Sequence, residues 1–170
     1  MIRNLLYKVL FLVRSWLDVL MRQEVLFYLF LAEGFEETEA LACLDVMRRA
    51  KLSVQTVGVT GEFVISSHGV CVKSDVSADD IDYDEIEGAV LPGGMPGTLN
   101  LGASETVTDA IRSAAEDKKY IAAICAAPMI LGKLGLLVGK KATCFPGFEK
   151  YLDGATEIGG SGIRDGSPAR

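Results

Sequence analysis

At 170 residues the chain is long enough for one domain with a real core and too short for two comfortable ones. Hydrophobic residues make up 49% and charged residues 24%, with a net charge of −6, so an ordinary soluble α/β protein is expected and nucleic-acid binding is disfavoured. Four cysteines (Cys43, Cys71, Cys125, Cys144) without CxxC spacing, and the single histidine His68, argue against a zinc site and against a disulfide scaffold, which leaves a reducing, cytoplasmic compartment as the expectation.

From Met1 to Gln23 the apolar residues Ile2, Leu5, Leu6, Val9, Leu10, Leu12, Val13, Trp16, Leu17 and Leu20 recur at helical spacing. Arg3, Asn4, Lys8, Arg14, Ser15, Asp18 and Arg22 fall on the other half of the wheel. The pattern is a basic amphipathic helix. Lys8 and Arg14 interrupt it long before the ~20 apolar residues of a membrane span, and no small-residue cleavage site follows. With four basic residues and one acid set aside in this segment, 13 Lys and Arg face 22 Asp and Glu in the rest, so residues 1–23 are expected to be an extension of a domain that starts at Glu24. A membrane-surface helix, a targeting peptide, a start codon placed too far upstream and a helix packed on the domain all fit; packing is preferred.

Glu24 to Ala32 reads as a buried first strand, followed by the acidic loop Glu33-Gly-Phe-Glu-Glu-Thr-Glu39 and a helix to about Ala50 with an apolar stripe of Ala40, Leu41, Leu44, Val46 and Met47. Ser53 to Val59 alternates as a second strand. Phe63 to Ser67 and Gly69 to Lys73 form a hairpin around Ser67-His68, with His68 an exposed turn residue. Gly88 to Pro92 is a short buried strand that breaks at Gly93-Gly94-Met-Pro-Gly97, where backbone N–H groups can approach a ligand closely. Ser104 and Glu105 begin a helix whose Val107, Ala110, Ile111, Ala114 and Ala115 face inward.

The next strand, Tyr120 to Ile124, is expected to be buried on both faces. It stops at Cys125, and Ala126 to Leu134 read as helix, with Pro128 suited to the first turn. A thiol at such a strand-to-helix turn meets unpaired amides and the positive end of a helix, which favour thiolate, although a buried inert cysteine fits the same position. Lys140 to Cys144 reads as another strand. Cys43 and Cys71 are read as structural core cysteines, Cys144 as a strand-end residue near the site. Residues 154–170 hold five glycines, one proline and only Ile158 and Ile163 as strong apolar residues, so from residue 157 on the chain reads as a divergent tail that cannot close a core. Three βα units before Cys125 predict a mostly parallel sheet sandwiched by helices.

Four motifs in order, Leu-Ala-Glu-Gly-Phe-Glu-Glu-Thr-Glu39-Ala, Val-Leu-Pro-Gly-Gly94-Met-Pro-Gly, Ala-Ala-Ile-Cys125-Ala-Ala-Pro and Ala-Thr-Cys-Phe-Pro-Gly-Phe-Glu, strongly resemble the DJ-1/ThiJ/PfpI family, in its deglycase-like branch, over residues 24–156. The resemblance implies a flavodoxin-like α/β fold, a homodimer, no cofactor and no metal. It makes Cys125 the reactive cysteine, Glu39 the acid beside it, and Gly94 and Ala126 the backbone donors around the sulfur. It further implies glyoxalase III or deglycase chemistry on small reactive carbonyls such as methylglyoxal; a redox-sensing, chaperone-like protein using the same cysteine, or an inactive member, are the alternatives. Chemically, a protonated Glu39 would donate a hydrogen bond to the sulfur and favour its thiolate. Two departures stand out. Phe145 occupies a position where some relatives carry histidine, so no Cys-His triad is available and protease-type acyl transfer is not expected. The family's Ser-Arg-Gly-Pro-Gly-Thr segment and long final helix have no counterpart beyond a trace, Ile-Arg-Asp-Gly, which reads as a truncation or frameshift; the Met1–Gln23 helix could cover the face so exposed.

Overall fold

The computed structural model describes residues 26–158, so the expectations for the basic extension and for the tail beyond residue 158 lie outside the described residues. Five strands, β1 (Leu26–Leu31), β2 (Ser53–Gly58), β5 (Val76–Ser77), β6 (Ile86–Leu91) and β7 (Tyr120–Ala123), form one sheet in the order β5-β2-β1-β6-β7. Every pairing in it is parallel. With β1 central, and with the chain going first to one side and then to the other, this is the expected flavodoxin-like α/β arrangement. Its crevice opens beyond the carboxyl ends of β1 and β6.

Strand β1 shows why the sheet is buried at its centre. Leu26, Tyr28 and Phe30 feed one core together with Leu91, Leu101, Val107 and Ile111. Leu29 and Leu31 feed a second, on the opposite face, with Phe35, Ala40, Val54, Val64 and Val90. A strand that must satisfy two cores is apolar throughout, and each such leucine or phenylalanine contributes about 2–3 kcal/mol by leaving water. Helices α2 (Gly97–Ala103) and α3 (Glu105–Glu116) cover the first face, and α1 (Glu37–Arg49) lies on the second. The inward residues of α3 are those its period picks out, Val107, Ala110, Ile111 and Ala114.

Several expectations are corrected. The crossover from β2 to β6 carries no α-helix: it passes through the hairpin β3 (Phe63–Ile65) and β4 (Cys71–Lys73), then β5 and a 3-10 turn at Ala78–Asp80. The glycine corner runs straight into α2, a helix that its glycines disguise. Strand β7 is not buried on both faces. It is the sheet edge, and on its α1 side Tyr120 (37%) and Ile124 (46%) stay exposed, because α1 packs over β1 and β2 and does not reach it. Likewise, Leu41 and Val46 of the supposed α1 stripe face solvent, and among its residues only Ala40 is fully buried.

The strand expected at 140–144 shrinks to β8 (Lys141–Ala142), which pairs with β9 (Glu157–Ile158) outside the main sheet. Those two residues, placed in the tail from the sequence, are therefore part of a strand pair. A small satellite core of Leu137, Ala142 and Leu152 holds this region, reached through α4 (Pro128–Lys133). Cys71 is exposed on the hairpin and is not a core residue; alternation on an edge hairpin sends it outward while Val64 and Val72 point to the core.

Candidate active site

Register alone brings the site together. Leu91 pairs with Ala123 across β6 and β7, so two residues further on Gly93 and Cys125 leave the sheet side by side. The amide of Ile124 still bonds the Leu91 carbonyl at 3.2 Å, after which Cys125 turns with φ 58. A left-handed residue with a Cβ costs roughly 1–2 kcal/mol, and here the surroundings hold it: Phe145 N–H donates to the Cys125 carbonyl at 2.8 Å and Ala127 N–H to that of Ile124 at 3.0 Å. The strand, the elbow and the Cys-Phe-Pro loop are thus tied at one point.

Glu39 arrives from the other side of the crevice. Glu36 caps α1 by accepting the Glu39 amide at 2.6 Å, and its own N–H donates to the Gly93 carbonyl at 2.9 Å. Position three of the helix often sends its carboxylate back to the cap; Glu39 instead accepts the Gly93 N–H through Oε2 at 2.8 Å and hydrogen-bonds the Cys125 sulfur. Gly93 was not singled out from the sequence, where Gly94 was. A Cβ on Gly93 would sit 2.6 Å from both Glu39 Oε2 and Cys125 Cβ, and 3.1 Å from Sγ, so only glycine leaves room for the pair. The doubled glycine was the available signal. Gly94, at φ 96, and Ala126 both give their amides to the sulfur. Glu39, Gly94 and Ala126 thus all act on the Cys125 sulfur.

The electrostatics differ from the expectation. Burial pushes the Cys125 thiol up, and the charge and hydrogen bond of Glu39 push it further, against a downward pull from the Ala126 and Gly94 amides. The net direction is upward, toward a thiol. Helix α4 has six residues and starts three positions after the cysteine, so its dipole adds little of the stabilisation that was anticipated.

The neighbouring cysteines play other parts. Cys43 is half buried, its thiol raised by burial and by Glu39, and it lies one turn along α1 from that acid. Cys144 precedes the residue bonded to Cys125; its thiol is pushed up by burial and by Glu149 and pulled down by the Phe148 amide. His68 is exposed, as expected, yet it has partners the sequence did not reveal: Nδ1 lies 2.9 Å from Glu37 Oε1 and 3.2 Å from Ser67 Oγ. Glu36, Glu37 and His68 offer ligand atoms within 4.8 Å of one another, but the carboxylate of Glu36 is committed to the helix cap and that of Glu37 to the histidine.

The DJ-1/PfpI family profile covers residues 24–167. The chain belongs to the DJ-1/PfpI family. It is 40% identical to the protein dj-1beta of Drosophila melanogaster over 123 residues, which are 72% of this chain and 66% of that one. It is 33% identical to a deglycase of Thermococcus kodakarensis over 113 residues, 66% of this chain and 67% of the relative. In three dimensions it is similar to the crystal structure of Drosophila melanogaster DJ-1beta, with a TM-score of 0.78 at 34% identity, covering 85% of this chain and 79% of that one. Among the described residues of this DJ-1/PfpI member, no helix is long and apolar enough to cross a membrane.

Proposed function

We propose that the chain is a cysteine-dependent, cofactor-independent enzyme of the glyoxalase III or deglycase type, acting on small reactive carbonyls such as methylglyoxal. The observation that carries this reading is the convergence on the Cys125 sulfur of one carboxyl group, Glu39, and two backbone amides, Gly94 and Ala126. A thiol beside a carboxylate is a nucleophile with its own base: as sulfur attacks the aldehyde, the thiol proton passes to Glu39, the C–S bond forms and the carbonyl oxygen becomes an oxyanion. The two amides are the donors available to that oxygen. Protonated Glu39 returns its proton to the oxygen, giving a hemithioacetal. The carboxylate then takes the proton from the same carbon and delivers it to the neighbouring one through an enediol, leaving a thioester. Water cleaves the thioester, releasing lactate and restoring the thiol.

The test is lactate formation from methylglyoxal by the chain as it stands and by Cys125→Ser and Glu39→Gln. Loss in both variants is expected. Absence of lactate from the unaltered protein would remove the enzymatic reading and leave an inactive member. A second reading rests on the same partly exposed sulfur: oxidised by two equivalents of hydrogen peroxide, each giving one oxygen and leaving as water, to a sulfinate, it would offer oxygens to the amides and to a protonated Glu39, as a redox sensor with chaperone-like activity. Suppression of aggregation that appears on peroxide treatment, without lactate formation, and is lost in Cys125→Ser would favour it. The homodimer implied by the family resemblance belongs to the proposal as well, and sedimentation at micromolar concentration measures it.

A further inference from the structure

Two large apolar side chains stand open next to residues that act on Cys125. Met95 follows Gly94, one of the two amide donors to the sulfur, and is 45% exposed. Phe145 is 54% exposed, yet its backbone is fixed, because its N–H donates to the Cys125 carbonyl at 2.8 Å. Its ring is held as well. It stands edge to face with Phe148 at 6.4 Å and 72° between planes, and Phe148 packs on the core that contains Met129 and Ile130, with Tyr151 6.0 Å away. A single exposed phenylalanine is ordinary on a protein surface, but one tied by its own amide to the carbonyl of the site cysteine is a fixed apolar wall beside whatever that sulfur binds. The charges around it are mostly of one sign. Glu33, Glu36 and Glu37 occupy the loop and first turn of α1, and Glu149 accepts the Gly147 N–H at 2.7 Å and acts on the Cys144 thiol. Lys133 and Lys150 lie over the Tyr151 ring, and no cation is among the groups that act on the Cys125 sulfur.

We infer that the site selects 2-oxoaldehydes carrying a neutral aromatic substituent, with Phe145 as the residue that sets the preference. This deepens the enzymatic reading of Cys125 and Glu39, on which it rests. Reach permits the contact: with its amide bonded to the Cys125 carbonyl, the Phe145 ring lies within roughly 12 Å of the sulfur. A phenyl ring on an oxoaldehyde bonded to that sulfur extends roughly 5 Å, which leaves at most the about 4.5–7 Å between centroids of an aromatic pair. A wall already in place costs little ordering on binding, whereas a methyl substituent does not reach it. The surrounding carboxylates oppose an anionic substituent. The chemistry balances as for methylglyoxal. Sulfur adds to the aldehyde carbon, Glu39 moves the proton from that carbon to the former ketone carbon, and water cleaves the thioester. Phenylglyoxal and water thus give mandelate, the aldehyde carbon losing the two electrons that the ketone carbon gains.

Mandelate from phenylglyoxal and lactate from methylglyoxal, quantified by liquid chromatography, give kcat/KM for both substrates with the intact chain. The expected ratio favours phenylglyoxal by about 10-fold, chiefly through KM, and is lost in Phe145→Ala but kept in Phe145→Tyr. A folding defect in Phe145→Ala would lower both rates together, so the ratio isolates the contact. With the unaltered chain, 4-carboxyphenylglyoxal should react more slowly than phenylglyoxal, the gap narrowing as salt is added, a measurement that holds even if Phe145→Ala fails to fold. Lactate formation without preference for the aromatic substrate would overturn this inference and leave the enzymatic reading standing. So would a preference that Phe145→Ala does not change, or equal rates for the charged and neutral aromatic substrates. No turnover of either oxoaldehyde would overturn both.

Discussion

At Cys125 two influences of opposite sign act on one sulfur, and their balance sets what can be measured. Burial and the Glu39 charge raise the thiol, and two amides lower it. Replacing Glu39 by Gln removes the like charge while leaving burial and amides in place, so the alkylation profile of Cys125 is expected to shift to lower pH in Glu39→Gln even as turnover falls. Rates of alkylation against pH, site-resolved by mass spectrometry, check the direction; an upward shift would mean that Glu39 acts on the sulfur chiefly as a hydrogen-bond donor. Gly93 gives the complementary prediction. Its missing Cβ is the space in which Glu39 Oε2 and Cys125 meet, so Gly93→Ala should cost about 100-fold in lactate formation by displacing the pair, with little change in overall fold. Glu39 and Cys125 were legible from motif and chemistry; the importance of Gly93 was not, because only the register of β6 against β7 sets it beside the cysteine.

Among the elements, the short edge strand β5 depends on one carboxylate. Asp75 Oδ2 accepts from the Thr56 amide and hydroxyl, each at 2.8 Å, and from Arg48 at 2.6 Å, joining β5, β2 and the end of α1. Burial alone would push the Asp75 carboxyl up, but the Thr56 hydrogen bonds and the Arg48 charge outweigh it and hold it below the usual range. With the folded value depressed, the linked stability is present above the unfolded aspartate pKa of about 3.9 and is lost as pH falls through the lower folded value. With its side chain 41% exposed and the Arg48 pair screened by solvent, Asp75→Asn should destabilise by at most about 1 kcal/mol near neutrality and flatten the acid limb of the stability curve, as urea titrations across pH would show. None of this network could be read beforehand, since Asp75 looks like any acid in an acidic chain. By contrast, the inward face of α3 was legible because a period of 3.6 survives in its residues, and α2 was missed because glycines at both ends of a seven-residue helix erase that signal.

On the scale of the molecule, cover is uneven. β1 and β6 lie between two cores, whereas β7 borders an open groove and β8–β9 rests on a satellite cluster of three buried residues. Amide exchange is expected to be slowest in β1 and β6 and fastest, among the strands, in β8 and β9, because local opening there breaks few buried contacts. Exchange followed by mass spectrometry on the intact chain tests this, and equal protection in β8–β9 and β1 would contradict it. The sequence by itself determined the helices that follow β1 and precede β7, the parallel sheet, the family and the cysteine at the elbow, because each is written in short-range periodicity or in a contiguous motif. Tertiary structure alone decided which strand became an edge, that Cys71 and Val46 face water, that Gly93 stands between acid and thiol, and that the sulfur is pushed toward its protonated form. Those outcomes depend on which residues distant in the chain come within a few ångströms, and neither period nor composition encodes such distances.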